Sequence, residues 1–297
     1  MSLSYENHLE VRRLRPLLGT LVEISVGGAG QKKLLGAIEK AFDRIKLIHN
    51  LMSFHDEKSD VSRLNRLAQK RAVSIHPLTV QVLKKALHIS KETNGVFDCA
   101  IADHLVRWKY LPRWDFVSRS NSGSFRDIIL RGSNQVRFLK PLAIDLGGIA
   151  KGFAVDEAVR MLKSKGVPYG TINAGGDLKI FGKKTQQISI RSPRYDGSFI
   201  DLPKVSKIAV ATSAGYFSSK HVLGKKVSNI VNPLTQAPLV KKWSVSVFAQ
   251  SCMVADALTK VVFALGEQSA NVIQKFQAKA IILYPNNQMR CFDGNMR

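Results

Sequence analysis

The sequence of 297 residues is poor in cysteine and in acidic residues, and it contains no long apolar run. Its three cysteines, Cys99, Cys252 and Cys291, form no CxxC pair and no pattern with histidines, so they indicate neither a zinc site nor a disulfide framework. We interpret all three as small buried hydrophobic side chains. No apolar stretch approaches the roughly 18–20 residues that a membrane-spanning helix needs. Segment 1–18 lacks the apolar core and cleavage site of a signal peptide, which predicts a cytoplasmic location for the sequence as written.

Acidic residues are outnumbered about two to one, since 22 Asp and Glu stand against 45 Lys and Arg, a formal net charge of +23. The surplus is concentrated in residues 178–242, which hold 12 basic and two acidic residues. Nucleic acid, anionic lipid and an acidic partner protein are all compatible with such a charge. Because aromatic residues are sparse there and no nucleic-acid-binding motif is present, we favour a solvated basic face over a nucleic-acid site.

Hydrophobic residues make up 45% of the chain, which is enough for a sizeable core. The spacing of apolar residues predicts helices at residues 31–52, 78–94, 152–166 and 252–265. Alternating or wholly apolar runs predict strands at residues 20–26, within 126–142, and at 169–180, 187–191, 244–249 and 280–284. Helices and strands alternate irregularly and no linker is visible. We therefore predict a mixed α/β (α+β) fold, a single domain over residues 1–297 with two intimately packed lobes.

The most informative segment is Ala143–Asp156, in which a predicted apolar strand leads through Asp145 into the Gly147-Gly148 turn. A helix is predicted to follow, with Lys151 in its first turn. Glycines let backbone N–H groups approach a phosphate, and both the helix N-terminus and the lysine add positive charge. Neither GxxxxGK[ST] nor GxGxxG is present, which excludes a P-loop and the usual dinucleotide fingerprint. The turn is therefore either a pyrophosphate site or a structural turn before a helix.

Two further features lie towards the C-terminus. A second glycine turn, Gly175-Gly176, is flanked by Asn173 and Asp177. These side chains can cap the turn, but two glycine turns that each adjoin an aspartate favour a nucleotide cleft. Asp256 is the one acidic residue of the apolar segment 244–266. A carboxylate in such surroundings either binds a charge or a metal ion, or lies near a helix N-terminus.

Together these segments resemble the ApbE family, the FAD:protein FMN transferases. The most specific strings are DLGGIAKGFAVD and NAGGD, followed by the helix that contains Ala255-Asp256. The resemblance extends over most of the chain and also includes Leu17–Thr20, Leu51–Phe54, Ser62–Asn65, Gly95–Asp98, Arg191–Pro193, Thr212–Tyr216 and Ile230–Pro238. It implies an ApbE-like fold with an FAD cleft between the two lobes.

The resemblance also implies a reaction. The FMN moiety of FAD passes to a Ser or Thr hydroxyl of a target flavoprotein, AMP is released, and Mg²⁺ polarises the pyrophosphate. Lys151 and Asp256 take the catalytic positions, and Gly148, through its carbonyl, and Asp256 take metal positions. The implied FAD-binding positions are Leu18, Phe54, Val96, Phe97, Asp98, Asp145, Lys151, Asn173, Gly175, Gly176 and Asn229. Members often work outside the cytoplasmic membrane. Because residues 178–242, here called the basic segment, carry much of the positive charge, we expect them to dock to an acidic target protein or to an anionic membrane surface.

One departure concerns the helix of Asp256. Family sequences read Asp-x-x-x-Thr there, with the hydroxyl at the metal, whereas this chain has Lys260 at that position and Thr259 one residue earlier. Either Thr259 completes the metal site after a backbone shift, or the Lys260 ammonium pairs with Asp256 and replaces the ion. Two alternative functions follow: an FAD-binding paralogue with weakened or lost metal-dependent transfer, and an FAD pyrophosphatase with water as the acceptor.

Overall fold

The computed structural model describes residues 10–117, 122–194, 198–215, 218–286 and 288–293. Segment 1–9 and Tyr216, which ends one of the motif segments, lie outside the described residues. The α-helices are α1 (Gln31–Met52), α2 (Asp60–Leu67), α3 (Pro77–Glu92), α4 (Ala102–Arg107), α5 (Ala150–Ser164), α6 (Cys252–Leu265) and α7 (Ala270–Lys275). Short 3₁₀ helices span Phe125–Asp127 and Gly266–Ser269. None of the described helices is both long and apolar enough to cross a membrane.

The described residues also form nineteen strands, numbered here in chain order. They are β1 (Glu10–Leu17), β2 (Thr20–Gly27), β3 (Val73–Ser74), β4 (Ile128–Arg131), β5 (Gln135–Phe138), β6 (Tyr169–Ala174), β7 (Asp177–Phe181), β8 (Thr185–Gln186), β9 (Ser189–Arg191), β10 (Phe199–Asp201), β11 (Val205–Ser206), β12 (Ala209–Ala214), β13 (Lys220–Val222), β14 (Lys225–Val227), β15 (Val231–Asn232), β16 (Ala237–Pro238), β17 (Ser244–Ala249), β18 (Lys279–Leu283) and β19 (Met289–Phe292).

Eight of these strands form one sheet in the order β1-β2-β6-β7-β12-β17-β18-β19, and every neighbouring pair is antiparallel. A separate three-stranded sheet has the order β3-β5-β4, and four two-stranded pairs complete the described strands. Helices combined with antiparallel sheets confirm the predicted mixed α/β class.

Helices cover one face of the large sheet. α5 packs between α1 and α6, and α6 lies on β12 and β17. On the opposite face, Leu178, Ile180, Val210 and Leu283 of the sheet form a second apolar cluster with Ile188, Ile190 and Leu202. Because both faces of the central strands are buried, β17 is almost wholly buried rather than alternately exposed, as its apolar sequence predicts.

Most predicted elements agree with the structure. The strand at 244–249 and the helix at 252–265 have the predicted bounds, and the helix predicted from residue 152 begins two residues earlier. The strand predicted before Asp145 is wrong, since residues 142–146 form no strand. Their backbone groups are bound instead by Asn65, whose side chain bridges both backbone groups of Ile144, and by the Cys99 carbonyl. The prediction that all three cysteines are buried is wrong for Cys291, which is exposed, whereas Cys99 and Cys252 are buried.

Candidate functional site

A cavity of about 760 Å³ opens between the end of the large sheet and the segment that follows α1. Its wall includes the β1–β2 turn, the C-terminal end of α1, the start of α5, the end of β12 and one residue of α6. The cavity brings together most of the residues predicted from the sequence, namely Leu18, Phe54, Val96, Phe97, Asp98, Asp145, Gly148, Lys151, Asn229 and Lys260. The remaining predicted residues, Asn173, Gly175, Gly176, Asp256 and Thr259, are not part of the described lining.

The floor of this cavity is built where α5 crosses α6 at Gly152. A Cβ atom on Gly152 would lie 2.2 Å from the carbonyl oxygen of Cys252, so only glycine permits this approach. The Gly152 amide donates a hydrogen bond of 3.2 Å to Oδ2 of Asp256. The close crossing thus sets the buried Asp256 carboxylate beside the first turn of α5, which carries Lys151.

Lys260 lies one helical turn after Asp256 and reaches back over it. Its Nζ atom forms a short ion pair with Oδ1 of Asp256 and donates a hydrogen bond of 2.9 Å to the Asp256 carbonyl oxygen. Asp256 is fully buried, whereas the Lys260 side chain is 22% exposed. The Lys260 Cε atom is 3.7 Å from the position that a Cβ on Gly148 would take. The lysine therefore extends from Asp256 towards Gly148.

Lys151 forms a second ion pair at the floor, with Oδ2 of Asp177 at the start of β7. Burial favours the neutral amine, but Asp177 and Asp256 outweigh it and raise the pKa of Lys151. Burial, and then the nearby Asp256 charge, raise the pKa of Asp177 to about 6, although Lys151 and Lys260 act in the opposite direction. Burial also opposes ionisation of Asp256, yet Lys151 and Lys260 bring its pKa below the usual range. Two ammonium groups thus face two carboxylates in a buried cluster.

The two carboxyl groups that line the wall, those of Asp145 and Asp98, bind backbone amides. Oδ2 of Asp145 accepts a hydrogen bond of 3.0 Å from Gly147, which shapes the glycine turn. Asp98 accepts hydrogen bonds from Ala100, at 2.8 Å, and from Phe125, at 3.0 Å. Burial is the main cause that raises the pKa of both carboxyl groups, against these hydrogen bonds. Asp145 and Asp98 therefore fix the shape of the wall as well as facing the cavity.

The upper wall is mostly apolar. Leu18 lies at the β1–β2 turn with φ +57°, and Phe54 is almost fully buried with its carbonyl oxygen bound by Trp114 Nε1 at 3.0 Å. Asn229 also lines this region, and its Oδ1 accepts a hydrogen bond of 2.5 Å from Ser218. Apolar walls with a few charged groups at the base are typical of sites that bind small molecules and cofactors.

The second glycine turn supports the floor from behind. Oδ1 of Asn173 accepts a hydrogen bond of 3.0 Å from the Gly176 amide. A Cβ on Gly175 would lie 2.4 Å from the Thr20 hydroxyl, and Gly175 has φ +63°, so glycine is required there. The turn leads directly into Asp177, through which it contacts Lys151.

Asp156 was not singled out from the sequence, although it is important to this arrangement. Its carboxylate, on α5, accepts hydrogen bonds from the Cys252 and Met253 amides at 3.1 and 3.0 Å and from the Ser251 hydroxyl at 2.7 Å. It also pairs with Lys179 at 2.5 Å. Asp156 thus caps the N-terminus of α6 from a neighbouring helix, a contact between residues about 95 positions apart that no local pattern reveals.

The groups at Asp256 do not form a Mg²⁺ site as they are arranged. Mg²⁺ prefers about six oxygen ligands in octahedral geometry. Here one carboxylate oxygen of Asp256 binds the Lys260 ammonium and the other binds the Gly152 amide. The Thr259 hydroxyl donates to the Asp256 carbonyl oxygen at 2.7 Å and lies 2.7 Å from the Ser213 hydroxyl. Among the described residues, no three His, Cys, Asp or Glu side chains cluster as possible metal ligands.

Comparison with known proteins agrees with the resemblance seen in the sequence. A model of the ApbE family matches residues 18–282. An FAD:protein FMN transferase of Vibrio cholerae serotype O1 is 26% identical over an alignment of 272 positions, gaps included, that covers 85% of this chain and 80% of that protein. An FAD:protein FMN transferase of Treponema pallidum is 25% identical over an alignment of 316 positions, gaps included, that covers 96% of this chain and 87% of that protein.

The fold is also similar to that of a solved relative. The crystal structure of the ApbE protein from Thermotoga maritima matches with a TM-score of 0.84 and 27% identity, over 96% of this chain and 97% of that one. The family match covers most of the chain, and the structural match extends over nearly all of it. The chain therefore belongs to the ApbE family.

Proposed function

We propose that the protein is a flavin transferase that moves the FMN moiety of FAD to a Ser or Thr hydroxyl of a target flavoprotein and releases AMP. The observation that carries the proposal is the cavity itself, in which apolar walls rise from a floor that holds two ammonium groups. FAD has the matching chemistry, an aromatic ring system joined to an anionic diphosphate. The names of the relatives support transfer of FMN from FAD as the family's reaction.

In the proposed step the hydroxyl oxygen of the acceptor forms a bond to the phosphorus atom of the FMN half. The bond from that phosphorus to the bridging oxygen breaks, and the bridging oxygen leaves with AMP. The hydroxyl proton passes to the AMP phosphate or to solvent. Such a transfer depends on alignment of the two oxygens and on neutralisation of phosphate charge rather than on a covalent enzyme intermediate.

The residues of the chain have distinct tasks in this proposal. Leu18 and Phe54 contact the flavin ring and exclude water from it. Lys151, beside the N-terminus of α5, binds the diphosphate, and Asp177 holds its ammonium group in place. The resemblance implies Mg²⁺ at Asp256, but one oxygen of that carboxylate binds the Lys260 ammonium group and the other binds the Gly152 amide, so we assign no step to a metal.

The basic segment supports a docking role outside the cavity. Lys220, Lys225 and Lys226 are exposed on the β13–β14 hairpin, whose turn residue Leu223 is 86% exposed. We infer that this face meets an acidic target protein, while an anionic membrane surface is the other partner that the charge fits. Charge on such a rim raises the rate of association more than the affinity, and salt weakens the effect.

The test of the proposed function is a transfer assay with a protein acceptor. A domain with an exposed Asp-x-x-Thr sequence is incubated with FAD and the enzyme, and both intact protein mass and AMP are measured. The proposal predicts a mass increase equal to FMN less one water, and one AMP per adduct. The matched control is the same acceptor with the threonine changed to alanine, which gains no mass. AMP and free FMN without an adduct would instead identify a pyrophosphatase, and FAD binding with neither product would identify a binding paralogue.

A further inference from the structure

We propose that the Lys260 ammonium group is the resident cation of this site, so that the protein binds the diphosphate of FAD without a divalent metal ion. The inference deepens the proposed function and rests on it, since it concerns the same cavity and the same diphosphate. It is drawn from the contacts of one lysine and two carboxylates at the cavity floor.

Lys260 is held in place by groups that are themselves fixed. Its Nζ atom binds both a carboxylate oxygen and the main-chain carbonyl oxygen of Asp256. Asp256 is fully buried and anchored on its other side by the Gly152 amide. Because the lysine is partly exposed and lines the cavity, its ammonium group is available to a ligand while remaining paired. This combination differs from an exposed lysine, whose flexible side chain would have to be ordered on binding.

The charges of the floor explain why a cation is needed there. Lys151 and Lys260 balance Asp177 and Asp256. Without Lys260, the two carboxylates would outnumber the one ammonium group, and the floor would repel an incoming diphosphate. With Lys260 present, neither carboxylate stands unpaired in front of the ligand.

A divalent ion at the same carboxylate would have to displace the lysine. The ammonium group occupies Oδ1 of Asp256, and the lysine side chain extends from there towards Gly148. An ion placed beside the Lys260 ammonium group would be repelled by its charge. The ammonium group cannot move deeper, because α5 and α6 are in close contact at Gly152. Mg²⁺ also gives up its water ligands reluctantly, and the Thr259 hydroxyl is already bound to the Asp256 carbonyl oxygen and to the Ser213 hydroxyl.

The test measures FAD binding by quenching of flavin fluorescence, with the intact protein in excess EDTA and in millimolar MgCl₂. The proposal predicts dissociation constants that agree within about twofold for the unaltered protein. Lys260→Thr is expected to weaken binding in EDTA by about tenfold or more, and Mg²⁺ is expected to restore part of the loss because it can then reach Asp256. Lys260→Gln keeps a hydrogen-bond donor to Asp256 without the charge, so it reports the loss of charge if the threonine variant is poorly folded.

The matched control is Lys275→Thr, which removes a lysine paired with Glu92 outside the cavity lining and should leave FAD binding unchanged in both conditions. FAD binding by the unaltered protein that requires Mg²⁺ would overturn the inference and leave the proposed function standing. FAD binding in EDTA that is unaffected by either Lys260 substitution would also overturn it. Failure to bind FAD with or without Mg²⁺ would overturn the proposed function as well.

Discussion

The Gly152 amide donates a hydrogen bond of 3.2 Å to the Asp256 carboxylate and so joins the first turn of α5 to α6. The bond forms because Gly152 has no side chain, and the carbonyl of Cys252 occupies the space that a Cβ would need. Lys151 and Lys260, one on each helix, consequently both line the floor of the cavity. The electrostatics of the site thus depend on one close contact between two helices.

Replacement of Gly152 by alanine should therefore damage both stability and binding. We expect Gly152→Ala to lower the free energy of unfolding by about 2–3 kcal/mol, because the two helices must separate, and to weaken FAD binding. Urea unfolding followed by circular dichroism measures the first effect and a flavin titration the second. Gly36→Ala is the matched control, since Gly36 lies exposed in α1 with nothing within 4 Å of a new Cβ. That substitution should raise stability by about 0.5–1 kcal/mol. Equal behaviour of the two variants would show that the contact between α5 and α6 does not require glycine at residue 152.

Two hairpin turns, both with the sequence Leu-Gly, allow the role of Leu18 to be tested. Leu18-Gly19 and Leu223-Gly224 both have positive φ at each residue, a geometry in which asparagine is favoured over leucine. We expect neither Leu18→Asn nor Leu223→Asn to lower the thermal midpoint. Only Leu18 lines the cavity, so its substitution should raise the dissociation constant for FAD by about fivefold while the Leu223 variant binds normally. A flavin titration of both variants decides this, and equal affinities would show that Leu18 does not contact the ligand.

Asp156 should be important for stability without contacting the ligand. Asp156→Ala leaves the Cys252 and Met253 amides and the Lys179 ammonium group without their partner. We expect a loss of about 2–4 kcal/mol in the free energy of unfolding. Asp43→Ala is the control, because Asp43 is 63% exposed and its ion pair with Lys40 is long, so its removal should change stability by less than about 0.5 kcal/mol. A loss for Asp156→Ala as small as that of the control would contradict the capping role.

The pKa of Asp177, raised to about 6 by burial and by Asp256, predicts a pH dependence of stability. Between about pH 4 and 6 the folded protein holds a proton on Asp177 and the unfolded chain does not. The contribution of this proton to the stability of the fold is therefore fully present below pH 4 and is lost as pH rises through 6. From pH 4.5 to 7 the stability of the unaltered protein should therefore fall by about 2 kcal/mol relative to that of Asp177→Asn. Urea unfolding of both proteins at the two pH values measures the difference, and parallel profiles would show that Asp177 does not titrate in this range.

Elements with a strong apolar pattern could be predicted from the sequence. The α6 helix and the β17 strand have the predicted bounds because most of their residues are buried and none is exposed. α2 was not predicted, since its sequence DVSRLNRL is largely polar and its capping residue, Ser59, is a weak signal by itself. The segment before Asp145 looked like a strand because it is apolar, but the Asn65 side chain takes the place of a neighbouring strand.

The site was predictable where it depends on local spacing. Lys260 and Asp256 are four residues apart on a helix, so their pairing followed from the sequence as one of two alternatives, and the structure shows it. Contacts between distant segments did not follow. The pairing of Lys151 with Asp177 and the capping of α6 by Asp156 join residues brought together only when α5 packs against the sheet and α6.

A crystal structure of the protein soaked with both FAD and MgCl₂ would show most directly whether Lys260 is the cation of the site. We expect the flavin ring to lie against Leu18 and Phe54 and the diphosphate within about 4 Å of the Lys151 and Lys260 ammonium groups. We also expect Lys260 still to bind Asp256, with no metal ion between that carboxylate and the diphosphate. An FAD molecule outside the cavity would rule out the proposed binding mode, and a Mg²⁺ ion on Asp256 with Lys260 displaced would rule out Lys260 as the resident cation.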